Sequence, residues 1–463
     1  MKTIFGTTSP ALSIYFFGLA LFTSCEDFVQ ADLPDTQLTT PVVFEDKATA
    51  NAALIAIYAQ IRDNGLLSGS PAGLSNQLGL YADELIYYGD IQSVSYNFYN
   101  NNLSPSSADL YALWNSSYNQ INAANAVLEG ARQSESLSHE DRNAIRGEAL
   151  FIRSLIHFYL AGVYGDIPYI VSTDYQQNRV AEKIPASDVW ALAVTDLQEA
   201  AMLLPADYTD PERVRPNKFA AKALLSRILL YSERWEEASE EASAVINESI
   251  YSLDIPIGEA FLKSSAETIW QLSPALMGSN TLEGSTFLFV SGPPPRVSLS
   301  NSLVTSFEPG DLRRENWVGE ITDGNLSWYH ANKYKLSLQA TGAQEYSKIV
   351  RLAELYLIRS EARARQGDII GAGEDLNRVR FRAGLSPTTA ASQQELLELV
   401  LHERQVELFT EFGHRFFDLK RNARLDDILG TLKPGWDSTD ALLPLPATEL
   451  GLNPGMLPQN PGY

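Results

Sequence analysis

Residues 351–385 read RLAELYLIRSEARARQGDIIGAGEDLNRVRFRAGL, and this stretch decides the fold. Its first part contains no glycine or proline up to Gln366 and is rich in residues of high helix propensity. Gly367 then interrupts the run, and Gly384 offers a C-terminal cap for a second helix. In that second helix, small or apolar residues recur at the spacing of one helical face: Ile369, Ala372, Leu376, Val379 and Ala383. The stretch therefore predicts a helical hairpin.

A third helix is predicted behind this hairpin, over 393–412. Ser392 followed by Glu395 is the signature of a capping box at its start. Charged residues recur among the large apolar ones of this helix and the segment after it: Glu403, Arg404, Glu407, Arg415 and Asp418. Because charges in apolar surroundings need partners, we interpret them as an ion network that joins helices rather than as a binding site.

The pattern of this hairpin is repeated 134 residues upstream in the sequence. Small or apolar residues coincide when Ala221, Leu224, Ser226, Trp235, Ala238, Ala242 and Val245 are matched with Leu355, Ile358, Ser360, Ile369, Ala372, Leu376 and Val379. Paired helices with small residues at their crossing are typical of tetratricopeptide repeats. Two hairpins are too few for a stable stack, so we expect a third repeat that includes the strong helical pattern of 139–164. The predicted fold is mainly α, with helical repeats mainly at 140–250 and 347–421.

Several motifs in this chain resemble those of the SusD/RagB family. In order they are RLAELYL (351–357), NRVRFRAGL (377–385), HERQVEL (402–408), GHRFFDLKR (413–421) and QNPGY (459–463). The resemblance implies a lipid-anchored nutrient-binding protein on the outer membrane of Bacteroidetes-type bacteria. It also implies a partner, a SusC-like TonB-dependent β-barrel transporter, on which the protein lies as a lid.

The N-terminus predicts export and lipid anchoring. Lys2 is followed by the apolar run IYFFGLALF (14–22) and then by Cys25, the one cysteine of the chain. We therefore expect a lipoprotein signal peptide over 1–24 and lipidation of Cys25. Glu26 and Asp27 resemble the acidic tether of surface lipoproteins, which implies that the protein faces the cell exterior. The alternative is ordinary secretory cleavage that leaves Cys25 as a free thiol. The mature chain, 25–463, is predicted to be a single domain.

Other segments are predicted to be less regular. Residues 27–41 read as an extended tether, and 64–79, rich in glycine and serine, as a mobile loop. The irregular region over 251–346 is expected to contain loops, short helices and short strands. The family resemblance implies that this region helps to shape the ligand-binding face. From 431 to 463 proline and glycine recur, which predicts a tail that wraps the surface without regular structure.

The composition and the absence of certain motifs argue against several classes of protein function. The net charge of −22 and the lack of a Lys/Arg cluster argue against a nucleic-acid partner. His402 and Glu403 match the first two residues of the zinc-protease motif HExxH, but Val406 occupies the position where the second histidine is needed. The chain contains no P-loop and no nucleophile-elbow motif. The resemblance implies a binding protein rather than an enzyme, and the absence of catalytic motifs agrees weakly with it; we expect no cofactor and no metal site.

Two groups of aromatic residues predict the ligand site. Six aromatics lie between Tyr81 and Tyr99 with asparagines among them, and a second group lies in the irregular region. Aromatic platforms with amide donors suit the apolar faces and hydroxyl rims of sugars. Peptide is the alternative ligand, while a helical glycoside hydrolase and a protein-binding scaffold are weaker alternatives. The predicted contacts are Tyr87, Tyr88, Tyr96, Tyr99, Asn101, Trp317, Trp328 and Tyr329.

Overall fold

The computed structural model describes residues 43–463. The predicted signal peptide, the Cys25 anchor and the tether over 27–41 lie outside the described residues. Among the described helices, none combines the length and the apolar character that crossing a membrane requires.

The N-terminal half is built from helices and one short strand. β1 is Leu85–Tyr87. The helices are α1 Lys47–Asn64, α2 Leu74–Tyr81, α3 Val94–Tyr99, α4 Ala108–Gln133, α5 His139–Tyr164, α6 Tyr175–Asn178, α7 Ala186–Leu203, α8 Lys218–Tyr231 and α9 Trp235–Ile246.

The C-terminal half contains two sheets and a second helical block. The strands are β2 Thr268–Leu272, β3 Val297–Leu299, β4 Val318–Thr322, β5 Ser327–Ala331 and β6 Ser347–Arg351. The helices are α10 Leu282–Phe287, α11 Asn301–Thr305, α12 Leu312–Trp317, α13 Leu352–Gln366, α14 Ile369–Arg382, α15 Gln393–Leu408, α16 His414–Arg421, α17 Leu425–Leu432 and α18 Ala447–Leu452.

The predicted helical-repeat scaffold is confirmed. Helix α4 packs on α5, α5 on α7, α7 on α8, α8 on α9, α9 on α13, and α13 on both α14 and α15. Gly367 adopts a left-handed conformation with φ 86° between α13 and α14, as a helical hairpin requires. The paired helices α5–α7, α8–α9 and α13–α14 thus form a stack of hairpins around a continuous core.

The two matched hairpins share one contact in detail. The Ser226 hydroxyl donates to the Ala238 carbonyl at 3.0 Å, and the Ser360 hydroxyl donates to the Ala372 carbonyl at 2.7 Å. Both alanines are fully buried. The small alanine side chain lets the two helices approach closely enough for the serine hydroxyl to reach the facing carbonyl. The sequence repeat therefore corresponds to an equivalent helix crossing in each hairpin.

Three predictions of local structure are wrong, and one of them is the C-terminal tail without regular structure, because α18 and two 3-10 turns lie within 431–463. The segment 64–79 is not a mobile loop throughout, because Leu74–Tyr81 forms a helix in which every residue is buried. The predicted helix over 393–412 ends at Leu408, although its capping box at Ser392 is present. Beyond it, the Thr410 amide donates to Glu84 and the Phe412 amide donates to the Ser75 hydroxyl, so distant side chains replace helical hydrogen bonds there.

The sheets lie in and beside the middle region. A four-stranded sheet has the order β1-β3-β5-β4, with antiparallel neighbours, and β2 pairs with β6. In the C-terminal segment, Leu443 and Leu445 are fully buried, and α18 and two short 3-10 turns interrupt the extended chain. This segment therefore packs against the scaffold through apolar anchors.

Candidate functional site

Three of the predicted aromatic residues lie together near the end of β1. The rings of Tyr87 and Tyr96 are 6.1 Å apart. Tyr88 and Tyr96 are among the exposed large hydrophobic residues, at 40% and 37% exposure. The Tyr87 hydroxyl donates to the backbone carbonyl of Asp90 at 2.9 Å, which fixes its ring at the turn after β1. Tyr87 and Tyr96 thus form a small, partly exposed aromatic surface.

A pocket of about 290 Å³ opens beside Tyr87. Its polar lining includes Asp90 and Arg296, both exposed, together with the buried side chains of Asn76 and Ser95. The Asn76 amide donates to the Pro71 carbonyl at 2.8 Å, and its oxygen is buried without a partner among the described residues. The pocket therefore combines an aromatic wall with hydroxyl, amide and charged groups. We call it the Tyr87 pocket.

The residues of this lining that sequence reasoning missed come from distant segments. Asn76 lies in α2, which was predicted to be a loop, and Arg296 follows the proline run before β3. The amide of Tyr88 donates to the Arg296 carbonyl at 2.7 Å, so strand pairing brings the two segments together. No local pattern in the sequence indicates this pairing.

The structure corrects the expectation that Trp317 belongs to the ligand face. Its side chain is buried, with 1% exposure, and its indole N–H donates to the Ile257 carbonyl at 3.0 Å. Lys333 Nζ lies 5.2 Å from its ring, and the guanidinium of Arg351 lies at 5.8 Å. Trp317 therefore packs over buried cations inside the protein, where a ligand would have no access to it.

Trp328 and Tyr329 lie in the same sheet as Tyr87, but their side chains point to opposite faces because they are successive strand residues. Trp328 is buried at 7% exposure, and its ring covers Gly292, where an added Cβ would lie 2.0 Å from the ring. Tyr329 is half-buried, and the Arg314 guanidinium lies 5.2 Å from its ring centre. The sheet thus joins the two predicted groups without forming one aromatic face from them.

Tyr99 and Asn101 are held by contacts within the protein. Lys433 Nζ lies 4.3 Å from the Tyr99 ring and donates to the Leu80 carbonyl, and burial lowers the pKa of Lys433 to about 7. Asn101 is buried, has φ 52°, and donates to the Tyr81 carbonyl at 3.0 Å. The buried amide of Asn101 stabilises the turn after α3, so the expectation that it reaches a ligand is corrected.

The predicted ion network is confirmed and is larger than expected. Arg351 donates to Glu267, Glu407 and Glu411 at 2.5–2.8 Å, and Arg404 donates to Asp418 at 2.7 Å. Burial alone would raise the pKa of Glu407. Neighbouring guanidinium groups nevertheless hold this pKa well below its usual range, and they belong to Arg382, Arg351 and Arg313. The network ties β2, β6, α12 and α15 together, which is an architectural role.

The metal-binding potential of the described residues is low. Within 43–463, no group of three or more His, Cys, Asp or Glu side chains is arranged to hold a metal ion. Burial lowers the pKa of His402, the histidine of the incomplete zinc motif. The imidazole of His414 is fully buried, and its pKa is held well below its usual range by burial and by the charge of Arg227.

Comparisons with known proteins agree with this architecture. A family model described as "Starch-binding associating with outer membrane" (SusD-like) matches residues 75–230, and the SusD family model (SusD/RagB) matches 313–463. A SusD-like protein from Formosa agariphila is 24% identical, and the match covers 97% of this chain and 98% of that protein.

Solved structures show the same fold. A SusD superfamily protein from Bacteroides vulgatus superposes with a TM-score of 0.80 at 24% identity, covering 90% of this chain and 99% of that one. A laminarin-binding SusD-like protein gives a TM-score of 0.74 at 22% identity, with coverage of 90% and 99%. The two family models match opposite ends of the scaffold and a SusD-like relative matches along 97% of the chain, so the chain belongs to the SusD/RagB family.

Proposed function

We propose that this protein captures oligosaccharides at the Tyr87 pocket and the aromatic surface beside it. It is held at the outer membrane through a lipidated Cys25 and delivers its ligand to a SusC-like TonB-dependent transporter. The observation that carries the proposal is the pair formed by the exposed Tyr96 and by Tyr87, which lines a pocket with amide, hydroxyl and charged groups. Binding without turnover is the proposed activity.

The chemistry of the pocket favours a sugar. A pyranose ring presents apolar C–H faces, which stack on aromatic rings such as those of Tyr87 and Tyr96, 6.1 Å apart. Its hydroxyl rim needs both donors and acceptors, which the side chains of Asn76, Ser95 and Arg296 supply. The volume of about 290 Å³ lies near the lower end of the ~300–1,000 Å³ range of ligand pockets, so part of a longer chain would lie outside, against Tyr88 and Tyr96.

The family context supports a glycan ligand and an outer-membrane setting. One matching family model carries the description "Starch-binding associating with outer membrane". Among the solved structures with the same fold, one is described as laminarin-binding and another as a surface glycan-binding protein from Bacteroides uniformis. Laminarin is therefore the first ligand to test.

Calorimetry against a glycan panel that includes laminarin tests the ligand class. Tyr87→Ala and Tyr96→Ala should each weaken binding of the best ligand by about tenfold, because loss of an aromatic contact costs on the order of 1–2 kcal/mol. Phe381→Ala, at an exposed aromatic on α14, is the matched control and should bind like the parent. Unchanged binding in both tyrosine variants would place the site elsewhere.

Two further outcomes distinguish the alternatives. Chromatography of the ligand after long incubation should show no shorter products, and their appearance would favour a glycoside hydrolase. Binding of short peptides, with no binding of any glycan, would favour the peptide-binding alternative.

The transporter pairing has its own test. Affinity purification from outer membranes in mild detergent should recover a large β-barrel in near-equal amount. Repeated recovery of the protein alone would contradict the proposed delivery to a transporter, but it would not contradict the proposed ligand site.

A further inference from the structure

A second polar pocket lies on the face of the long helix α4, away from the Tyr87 pocket. Its volume is about 280 Å³, and it shares no lining residue with the Tyr87 pocket. The helices α4, α6 and α18 and the segment after α5 contribute its walls. Three chain segments that are distant in sequence therefore converge on one concave site. We call it the α4 pocket.

Three carboxamides of α4 face this pocket. Asn115, Asn119 and Asn122 are spaced by four and three residues, which places them on one side of a helix, and all three are exposed. Asn125, on the inner side, donates to the Ile170 carbonyl at 3.0 Å. By contrast, the three exposed carboxamides make no side-chain hydrogen bond to any residue within 43–463. Their donors and acceptors are therefore open to a ligand.

The floor of the α4 pocket is rigid and partly aromatic. Trp114 is buried, and its ring lies 4.8 Å from that of Tyr118, whose hydroxyl donates to the Pro168 carbonyl at 3.0 Å. Met456 is also buried and contributes an apolar surface. The floor is thus fixed by contacts that exist before any ligand arrives.

One exposed ring stands at the edge of this floor. Tyr175 is 71% exposed and begins α6 directly after Asp174, whose carboxylate accepts the amides of Gln176 and Gln177. This cap fixes the backbone that carries the ring. An exposed tyrosine beside free amides offers a stacking platform together with a polar rim.

The charges of the α4 pocket balance. Arg179 contributes one cation and Glu449 one anion, and neither belongs to the Tyr87 pocket. Glu449 is half-buried, and burial raises its pKa. A site with balanced charge and several amides favours a neutral ligand rich in hydroxyl groups over an anion or a cation.

We propose that the α4 pocket is a second saccharide-binding site, which takes a short neutral segment of a glycan chain. The carboxamides of Asn115, Asn119 and Asn122 bind its hydroxyls, and the ring of Tyr175 stacks on one sugar face. Two separate sites on one chain would let the protein hold a long polysaccharide at two points, which raises avidity when the linker between the bound segments spans them.

A methionine in the pocket supplies a local readout. Met456 lies in the lining, whereas Met202 and Met277 are exposed elsewhere, at 79% and 103%. Labelling the methionine methyl groups with ¹³C therefore gives one reporter in the α4 pocket and two internal references. The probes are maltotetraose, cellotetraose, laminaritetraose, mannotetraose and xylotetraose, each titrated into the mature protein.

We expect at least one of these tetrasaccharides to shift the Met456 methyl signal in a saturable way, without shifting Met202 or Met277. Tyr175→Ala and Asn119→Ala should each weaken the apparent Kd of that shift by about tenfold. Gln176→Ala, at the exposed position next to Tyr175, is the matched control and should not change it. Melting temperatures of the variants should equal that of the parent, because the altered side chains are exposed.

Three results would overturn the proposal. They are a Met456 signal that no tetrasaccharide moves, a shift that persists unchanged in both variants, and a shift produced by tetraalanine but by no saccharide. The test is independent of the Tyr87 pocket, since Tyr96→Ala should weaken binding there by about tenfold and leave the Met456 shift intact. Loss of the Met456 response alone would therefore leave the proposed function standing.

Discussion

Enlarging Ala372 tests whether the hairpin crossing is as close as the repeat pattern indicates. Ala372 is fully buried between α13 and α14, and its carbonyl accepts the Ser360 hydroxyl at 2.7 Å. Ala372→Leu adds three carbon atoms at this crossing. Overpacking of this kind costs about 1–3 kcal/mol. Separating the helices also strains the serine hydrogen bond, which is worth about 0.5–1.5 kcal/mol.

The expected loss of stability for Ala372→Leu is therefore about 1.5–4.5 kcal/mol, the sum of overpacking and the weakened hydrogen bond. Ser360→Ala separates the two contributions, because it removes the hydrogen bond alone and should cost about 1 kcal/mol. Ala238→Leu should cost nearly the same as Ala372→Leu, because Ser226 makes the equivalent bond to the Ala238 carbonyl.

Urea unfolding followed by circular dichroism measures these differences, with the slope m checked for each variant. Ala191→Leu makes the same chemical change at an exposed position of α7 and should alter stability by less than about 0.5 kcal/mol. If Ala372→Leu is no more destabilising than Ala191→Leu, the helices do not cross closely at this alanine. If Ala238 and Ala372 differ by more than about 2 kcal/mol, the two hairpins are not equivalent.

Three other predictions concern charge and anchoring. Arg351→Met leaves three buried carboxylates without their shared cation and should lower the free energy of unfolding in urea by about 3–5 kcal/mol. Arg378→Met removes a cation from an exposed ion pair and should lower it by at most about 1 kcal/mol. Equal losses would contradict the burial argument. Burial and the charge of Asp83 raise the pKa of Glu84 from 4.5 to about 8, so the folded chain binds more protons than the unfolded one between these values. As pH rises through that window, the free energy of unfolding of the parent should therefore fall relative to that of Glu84→Gln, by at most about 1.4 kcal/mol per pH unit. If the two proteins show the same dependence of stability on pH, the pKa of Glu84 is not raised. Finally, Cys25→Ala should move the protein from the membrane to the soluble fraction, and mass spectrometry of the parent should find acylated Cys25; a membrane-bound variant would argue against the lipid anchor.

Only some members of the ion network could be predicted from the sequence. Charged residues on an apolar helix need partners, so Glu407 and Arg404 were predictable members of a network. The partners Lys333 and Glu267 were not, because they come from segments 74 and 140 residues away from Glu407 that have no regular pattern. The pairing of β2 with β6 places Glu267, which directly precedes β2, beside Arg351, and Arg351 also donates to Glu407 of α15.

The candidate site shows a similar limit. The stretch around Tyr87 and Tyr96 was predicted to be a ligand surface because aromatic and amide residues are dense there, and Tyr96 is exposed in the structure. The sequence does not reveal that Asn76 and Arg296 line the same pocket, since both arrive through tertiary contacts. Nor does it indicate the α4 pocket, where the carboxamides of α4 meet Tyr175 and Glu449 from other segments.

The sequence by itself determined the helical hairpins of this protein, their caps and their repetition. These features depend on interactions within about four residues or across one turn, as with Gly367 between α13 and α14 and the capping box at Ser392. Only the tertiary structure decided which aromatic rings remain exposed. Trp317 and Tyr96 both lie in short helices, α12 and α3, yet Trp317 is buried over cations whereas Tyr96 is exposed to solvent. Burial is set by what the rest of the chain places against a side chain, and composition within a short window does not contain that information.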